Sequence, residues 1–114
     1  MIFVTGPLYA GKETYIRQAL CWNDEDFRTH AVRDVQELVP CADPEALADA
    51  LACREVVIAT EVGGGVIPLD AFERRRREDA GRLSCLLARR ADTVIRVCCG
   101  LPQLLKGEWP CASG

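Results

Sequence analysis

Ile2-Phe3-Val4-Thr5-Gly6-Pro7-Leu8-Tyr9-Ala10-Gly11-Lys12-Glu13-Thr14 joins a short continuous apolar run to a glycine-flanked loop, and the loop opens onto a helical pattern. An uninterrupted apolar run of this length fits a strand buried on both faces of a parallel sheet. A glycine-containing loop between such a strand and a helix turns successive backbone N–H groups inward. Together with the helix dipole and a lysine ammonium, these can cradle the phosphates of a nucleotide. Gly6 and Gly11 permit that backbone, and Lys12 brings the charge.

One position departs from the pattern. The residue after the lysine ordinarily offers a hydroxyl to Mg²⁺, and here it is Glu13. Three readings follow: Glu13 ligates the metal, Thr14 stands in after a shift of one residue, or the loop has lost tight nucleotide binding.

Outward from the loop, the chain alternates strands and helices. Lys12 to Leu20 reads as a helix with Ile16, Ala19 and Leu20 on its apolar face. Cys21 to Phe27 reads as polar and irregular, and Arg28 to Val32 as a strand. Asp34 and Glu37 have capping-box spacing for a short helix ended by Pro40. Asp43-Pro44 opens another helix, with Leu47, Ala50 and Leu51 as its inner stripe. Glu55 to Thr60 is the clearest central strand and runs into Glu61-Val62-Gly63-Gly64-Gly65-Val66-Ile67-Pro68, where three glycines imply a tight backbone excursion.

Asp70 and Glu73 open a long helix through Arg90, with Phe72, Leu83, Leu86 and Leu87 expected inside and Gly81 marking close packing or a kink. Thr93 to Cys98 is the last strand, closed by a loop at Gly100-Leu101-Pro102. The expected fold is α/β: a small P-loop-type three-layer domain whose mostly parallel sheet has about four strands. Ligands of such sheets bind at the carboxyl ends of the strands, where the Gly6 and Gly63 loops both emerge.

Composition bounds the function. The chain has 114 residues, 49% of them hydrophobic, and a net charge of −3. This suits one compact domain and argues against broad nucleic-acid binding. No run of membrane-spanning length and no secretory pattern appears, so a cytoplasmic protein is expected. The seven cysteines are odd in number and lack paired C-x-x-C spacing, and the chain has one histidine. Small buried hydrophobes in a reducing cytosol fit them better than zinc or disulfides, with Cys111 as the most exposed thiol. Of Arg74-Arg75-Arg76-Arg77, only Arg74 and Arg77 share a helix face. Arg75 and Arg76 read as solvent-facing or in pairs with Glu73 and Glu78. Trp22 and Trp109 read as packing residues at the edges.

The segment from Val56 to Lys106 resembles the bifunctional adenosylcobinamide kinase and adenosylcobinamide-phosphate guanylyltransferase family of cobalamin biosynthesis. Glu61 to Pro68 is similar to that family's E-V-G-x-G-I-V-P. Arg74, Arg77, Glu78, Ala80, Gly81, Arg82 and Leu83 follow R-x-x-R-D-x-A-G-R-L-N, with Glu78 for Asp and Ser84 for Asn. Ala88, Ala91-Asp92-Thr93-Val94, Gly100-Leu101-Pro102 and Lys106 continue without a gap.

The resemblance implies a transferase that binds ATP or GTP with Mg²⁺ at Gly6, Ala10, Gly11, Lys12, Glu13 and Thr14, assisted by Gly63, Gly65, Arg74 and Arg77. Lys12 and Glu61 would be its catalytic groups, and Glu13, Thr14 and Glu61 its metal candidates. It further implies a corrinoid acceptor, adenosylcobinamide, and a homo-oligomer, with trimers known in the family. Residues 1–114 would form one nucleotide-binding domain from which the family's middle region is largely missing. That region ordinarily carries the guanylylated histidine. His30 is not a match to it, so guanylyl transfer is not expected. The alternative reading is a degenerate, noncatalytic nucleotide-binding or assembly protein of the same fold.

Overall fold

The computed structural model of the chain describes residues 1–62 and 70–111. Five strands form one sheet: β1 (Ile2–Gly6), β2 (Ala31–Val32), β3 (Val56–Thr60), β4 (Thr93–Cys98) and β5 (Leu101–Lys106), in the order β2-β3-β1-β4-β5. β1 lies parallel between β3 and β4, with Gly6 opposite Thr60 and Thr5 opposite Arg96. β2 is parallel to β3, and β5 is antiparallel to β4. The excursion expected through Gly63, Gly64 and Gly65 lies outside the described residues.

Alternation along the strands divides the core in two. Phe3, Val57, Ala59 and Val94 enter one cluster with Ala48, Leu51, Leu83 and Leu87. Val4, Val56, Ile58, Ile95 and Val97 enter the other with Ile16 and Phe27. Helices α3 (Pro44–Leu51) and α4 (Ala71–Arg90) thus cover one face, and α1 (Lys12–Leu20) and α2 (Asp24–His30) the other. With both faces covered, the inner strands are mainly apolar, as expected for the three-layer fold.

Several local expectations are corrected. The stretch expected to be irregular contains α2, whose start is a full capping box. Asn23 Oδ1 accepts from the Asp26 N–H at 2.8 Å, and the Asp26 carboxylate accepts from the Asn23 N–H at 3.2 Å. Asp24, Glu25 and Asp26 then place three carboxylates against the positive end of the helix dipole. The strand expected from Arg28 shrinks to Ala31–Val32.

Asp34 makes no capping bond. It is left-handed (φ 56°) and precedes a 3₁₀ turn, Val35–Leu38. Buried Gln36 on that turn accepts from the Thr60 N–H at 2.9 Å, tying it to the end of β3. Asp43 caps α3 by accepting from the Glu45 and Ala46 N–H groups. The inner stripe is Ala48 and Leu51 with Leu47 partly buried, while Ala50 is exposed.

Asp70 accepts from the Glu73 N–H at 2.7 Å and starts α4 at the expected place. Leu83, Leu86 and Leu87 are buried as expected, with Ala80, but Phe72 is 62% exposed. A helix of 20 residues is about 30 Å long, whereas a five-residue strand spans roughly 17 Å, so the first turns overhang the sheet. A Cβ on Gly81 would meet nothing within 4 Å, so no close packing explains that glycine.

The segment expected to be a closing loop is β5. Cys99 and Gly100, with φ of 54° and 73°, form a two-residue turn between the paired Cys98 and Leu101. Positive φ at both central residues matches the twist of a hairpin. Pro102 is tolerated because β5 is an edge strand. The cysteines are not buried: Cys41 and Cys98 are half-buried and the other five exposed. Trp22 packs against the second cluster, whereas Trp109 is half exposed. Among the described residues no helix is long and apolar enough to cross a membrane.

Candidate functional site

The loop leaves the carboxyl end of β1, the central strand, and its first residue fixes its course. Gly6 has φ 154°, and a Cβ there would lie 2.1 Å from the Val97 carbonyl oxygen, so only glycine fits. Tyr9 (φ 58°) and Gly11 (φ 89°) are left-handed around buried Ala10, an alternation that turns backbone amides toward a common centre. Three backbone bonds brace the loop. The Gly6 carbonyl accepts from the Glu61 N–H at 2.9 Å, the Ala10 carbonyl from the Gly100 N–H at 2.8 Å, and the Gly11 carbonyl from the Tyr15 N–H at 2.9 Å. Gly11 is the N-cap of α1 and offers no side-chain cap, which leaves the first amides of the helix suited to an anion.

A cavity of about 290 Å³ lies over this loop. Its walls are Leu8 to Thr14, Arg33 and Asp34, and Ile58 and Thr60 of β3. Lys12 is buried, and its Nζ donates to the Pro7 carbonyl at 2.6 Å. Burial lowers its pKa from the usual 10.5, and the carboxylates of Asp34 and Glu61 pull it back up. A lysine held in this way presents a positive charge at the wall of the cavity.

The acidic candidates are unequal. Glu61 accepts from Arg96 of β4 through Nε at 2.6 Å and Nη2 at 3.0 Å. The Arg96 hydrogen bond holds its carboxyl below the usual 4.5, against the opposing effect of burial. Glu13 accepts from Arg17 Nη2 and Arg33 Nη1, each at 3.0 Å. Thr14 is exposed on the cavity wall. Asp34, read from sequence only as a helix cap, lines the cavity instead and makes no capping bond. An acid just past the carboxyl end of a strand was the signal that could have found it.

Other candidates lie elsewhere. Arg74 and Arg77 sit in the first two turns of α4, which contributes no residue to the wall of the loop cavity. Arg76 lies 3.9 Å from Glu73 as expected, while Arg75 faces Asp79 at 3.8 Å, not Glu78. Gly63 and Gly65 are outside the described residues. His30 ends α2, and its Nδ1 lies 3.0 Å from Glu55. Both residues precede parallel strands, β2 and β3, so they occupy the amino edge of the sheet, the end opposite the loop. Among the described residues no three His, Cys, Asp or Glu side chains gather as a metal cluster.

A family model described as cobinamide kinase / cobinamide phosphate guanyltransferase matches residues 16–105. The bifunctional adenosylcobalamin biosynthesis protein CobP of Pseudomonas aeruginosa is 37% identical over 81 residues, covering 62% of this chain and 47% of that protein. The chain therefore spans less than half the length of that relative. The matched segment begins inside α1, so the case for the loop at residues 6–14 rests on its geometry. With most of its length matched, the chain belongs to the cobinamide kinase / cobinamide phosphate guanyltransferase family.

Proposed function

We propose that the chain binds ATP or GTP at the Gly6–Thr14 loop and transfers a phosphoryl group to an adenosylcobinamide-like alcohol. One observation carries this reading: a glycine-bounded loop between the central strand and α1, with buried Lys12 inside it and Asp34 across the cavity. Phosphoryl transfer asks chiefly for positioning and charge neutralisation. The loop amides and the amino end of α1 hold the phosphates, and Lys12 exchanges its bond to the Pro7 carbonyl for a phosphate oxygen. The acceptor oxygen forms the new P–O bond as the bond to the nucleoside diphosphate breaks, the diphosphate leaves with the bonding pair, and the hydroxyl proton passes to water.

The donor set suits Mg²⁺, which uses one or two carboxylates together with substrate phosphates. Asp34 and the Thr14 hydroxyl would hold it, since Glu13 and Glu61 are engaged by arginines. The ion supplies charge neutralisation of the phosphates when bound. Glu61 then acts by positioning, through its backbone N–H on Gly6 and its side chain on Arg96.

His30 is on the opposite edge of the sheet from the loop, which supports a chain that does not carry guanylyl groups on that residue. Seven unpaired cysteines suit the reducing cytoplasm. Exposed Leu101 and Leu105 on edge strand β5 suit a homo-oligomer, a trimer by the family resemblance. Residues 1–114 act as one nucleotide-binding domain in this reading.

The engagement of both Glu13 and Glu61 favours a second reading, nucleotide binding without turnover. Calorimetric titration with ATP and GTP, with and without Mg²⁺, tests both. Binding plus formation of adenosylcobinamide phosphate supports the first, and binding alone supports the second. No binding of either nucleotide removes both.

A further inference from the structure

A second cavity, of about 640 Å³, lies between α1, α2 and β2, and it shares Glu13 and Arg33 with the loop cavity. That volume falls in the range of small-ligand sites. Its wall carries three guanidiniums, Arg17, Arg28 and Arg33, against two carboxylates, Glu13 and Asp24.

The carboxylates are already satisfied. Glu13 accepts from Arg17 and Arg33, and Asp24 accepts from Arg17. Arg17 is thereby neutralised, and its guanidinium lies 4.7 Å over the Phe27 ring, where it forms part of the wall. Its buried Nε has no partner among the described residues. Arg28 and Arg33 are different. Arg28 donates from Nε to the Asp24 carbonyl at 3.4 Å, and Arg33 from Nη1 to Glu13. A guanidinium has five N–H donors, so most of each fork is available to a ligand.

We propose that this cavity binds a phosphate monoester, with Arg28 and Arg33 gripping the dianion and Glu13 holding Arg33 at the boundary between the two cavities. Planar, bidentate donors match phosphate oxygens, and two forks match a dianion better than a single carboxylate. The concavity between α1, α2 and β2 has the size of a small ester, and the net charge of −3 disfavours a polyanion. The site does not depend on nucleotide binding at the loop. Where the loop is filled, the ester's phosphate lies beside the nucleotide's phosphates. Glu13 thereby becomes a positioning residue: in place of a hydroxyl, the loop carries the group that orients an arginine toward the neighbouring ligand.

Titration of the protein with phenyl phosphate and with inorganic phosphate tests this. Wild type binds phenyl phosphate at least as tightly as inorganic phosphate. Arg28→Ala and Arg33→Ala each weaken phenyl phosphate about tenfold, and Lys12→Ala leaves that binding in place. Arg33→Lys, which keeps the charge but loses the fork, also weakens it. Thermal melts select the variants that fold. The proposal is overturned if wild type does not bind the ester, if only inorganic phosphate binds, if binding survives in the Arg28→Ala/Arg33→Ala double variant, or if it disappears with Lys12→Ala.

Discussion

The Glu61 carboxylate receives two prongs of the Arg96 guanidinium, linking the end of β3 to β4 across the end of β1, from which the Gly6–Thr14 loop departs. This contact makes Glu61 part of the frame around the loop.

Because the folded-state pKa of Glu61 is depressed, its contribution to stability is fully present above the ordinary value of 4.5 and is lost as pH falls through the lower folded value. Wild type should therefore melt at a higher temperature than Glu61→Gln near neutrality. The gap should close as pH drops below 4.5. Paired thermal melts across that range check it, and a constant gap would contradict this assignment.

Lys12→Ala removes the buried ammonium facing the loop cavity. A charge-assisted hydrogen bond contributes roughly 1.5–3 kcal/mol, so nucleotide affinity should fall at least about tenfold. Thermal-shift titration with ATP and GTP measures this, with an unshifted melt of the free variant as the control for folding.

Two glycine-to-alanine changes should have opposite signs. Gly6→Ala drives a methyl into the Val97 carbonyl and should cost more than about 3 kcal/mol, seen as loss of the cooperative denaturant transition. Gly81→Ala lies in a helix interior with open space around it, and should stabilise by about 1 kcal/mol.

Thiol titration of the native protein should give a fast phase from Cys21, Cys53, Cys85, Cys99 and Cys111, and a slower one from half-buried Cys41 and Cys98. Mass mapping of the labelled peptides identifies each. Fast labelling confined to Cys111 would contradict the exposure of the other four.

The inner strands and the capped starts of α3 and α4 were legible because local signals and burial agree. Val56 to Ile58 are apolar in sequence and buried in the fold, and Asp43 and Asp70 cap where their spacing places them. Legibility failed where tertiary context decides. Asn23 and Asp26 looked like loop residues until each satisfied the other's backbone, and Pro102 looked like a breaker until the strand proved to be an edge. In the site, Gly6, Gly11 and Lys12 were readable because the loop is contiguous. Asp34, Arg33 and Arg96 were not, because parallel strands bring them to the loop from distant positions. Glu13 and Glu61 could be recognised as acids, but their arginine partners could not be read from one-dimensional spacing.

The hydrogen bond from the Gly100 N–H to the Ala10 carbonyl ties the β4–β5 hairpin to the phosphate loop, with Gly11 packed against the same turn. The hairpin is therefore a mechanical stop for the loop. Replacing Gly100, whose φ of 73° suits glycine, would shift the N–H of this tie through backbone strain, since a Cβ there meets nothing within 4 Å. A turn far along the chain thus shares control of the loop's stiffness.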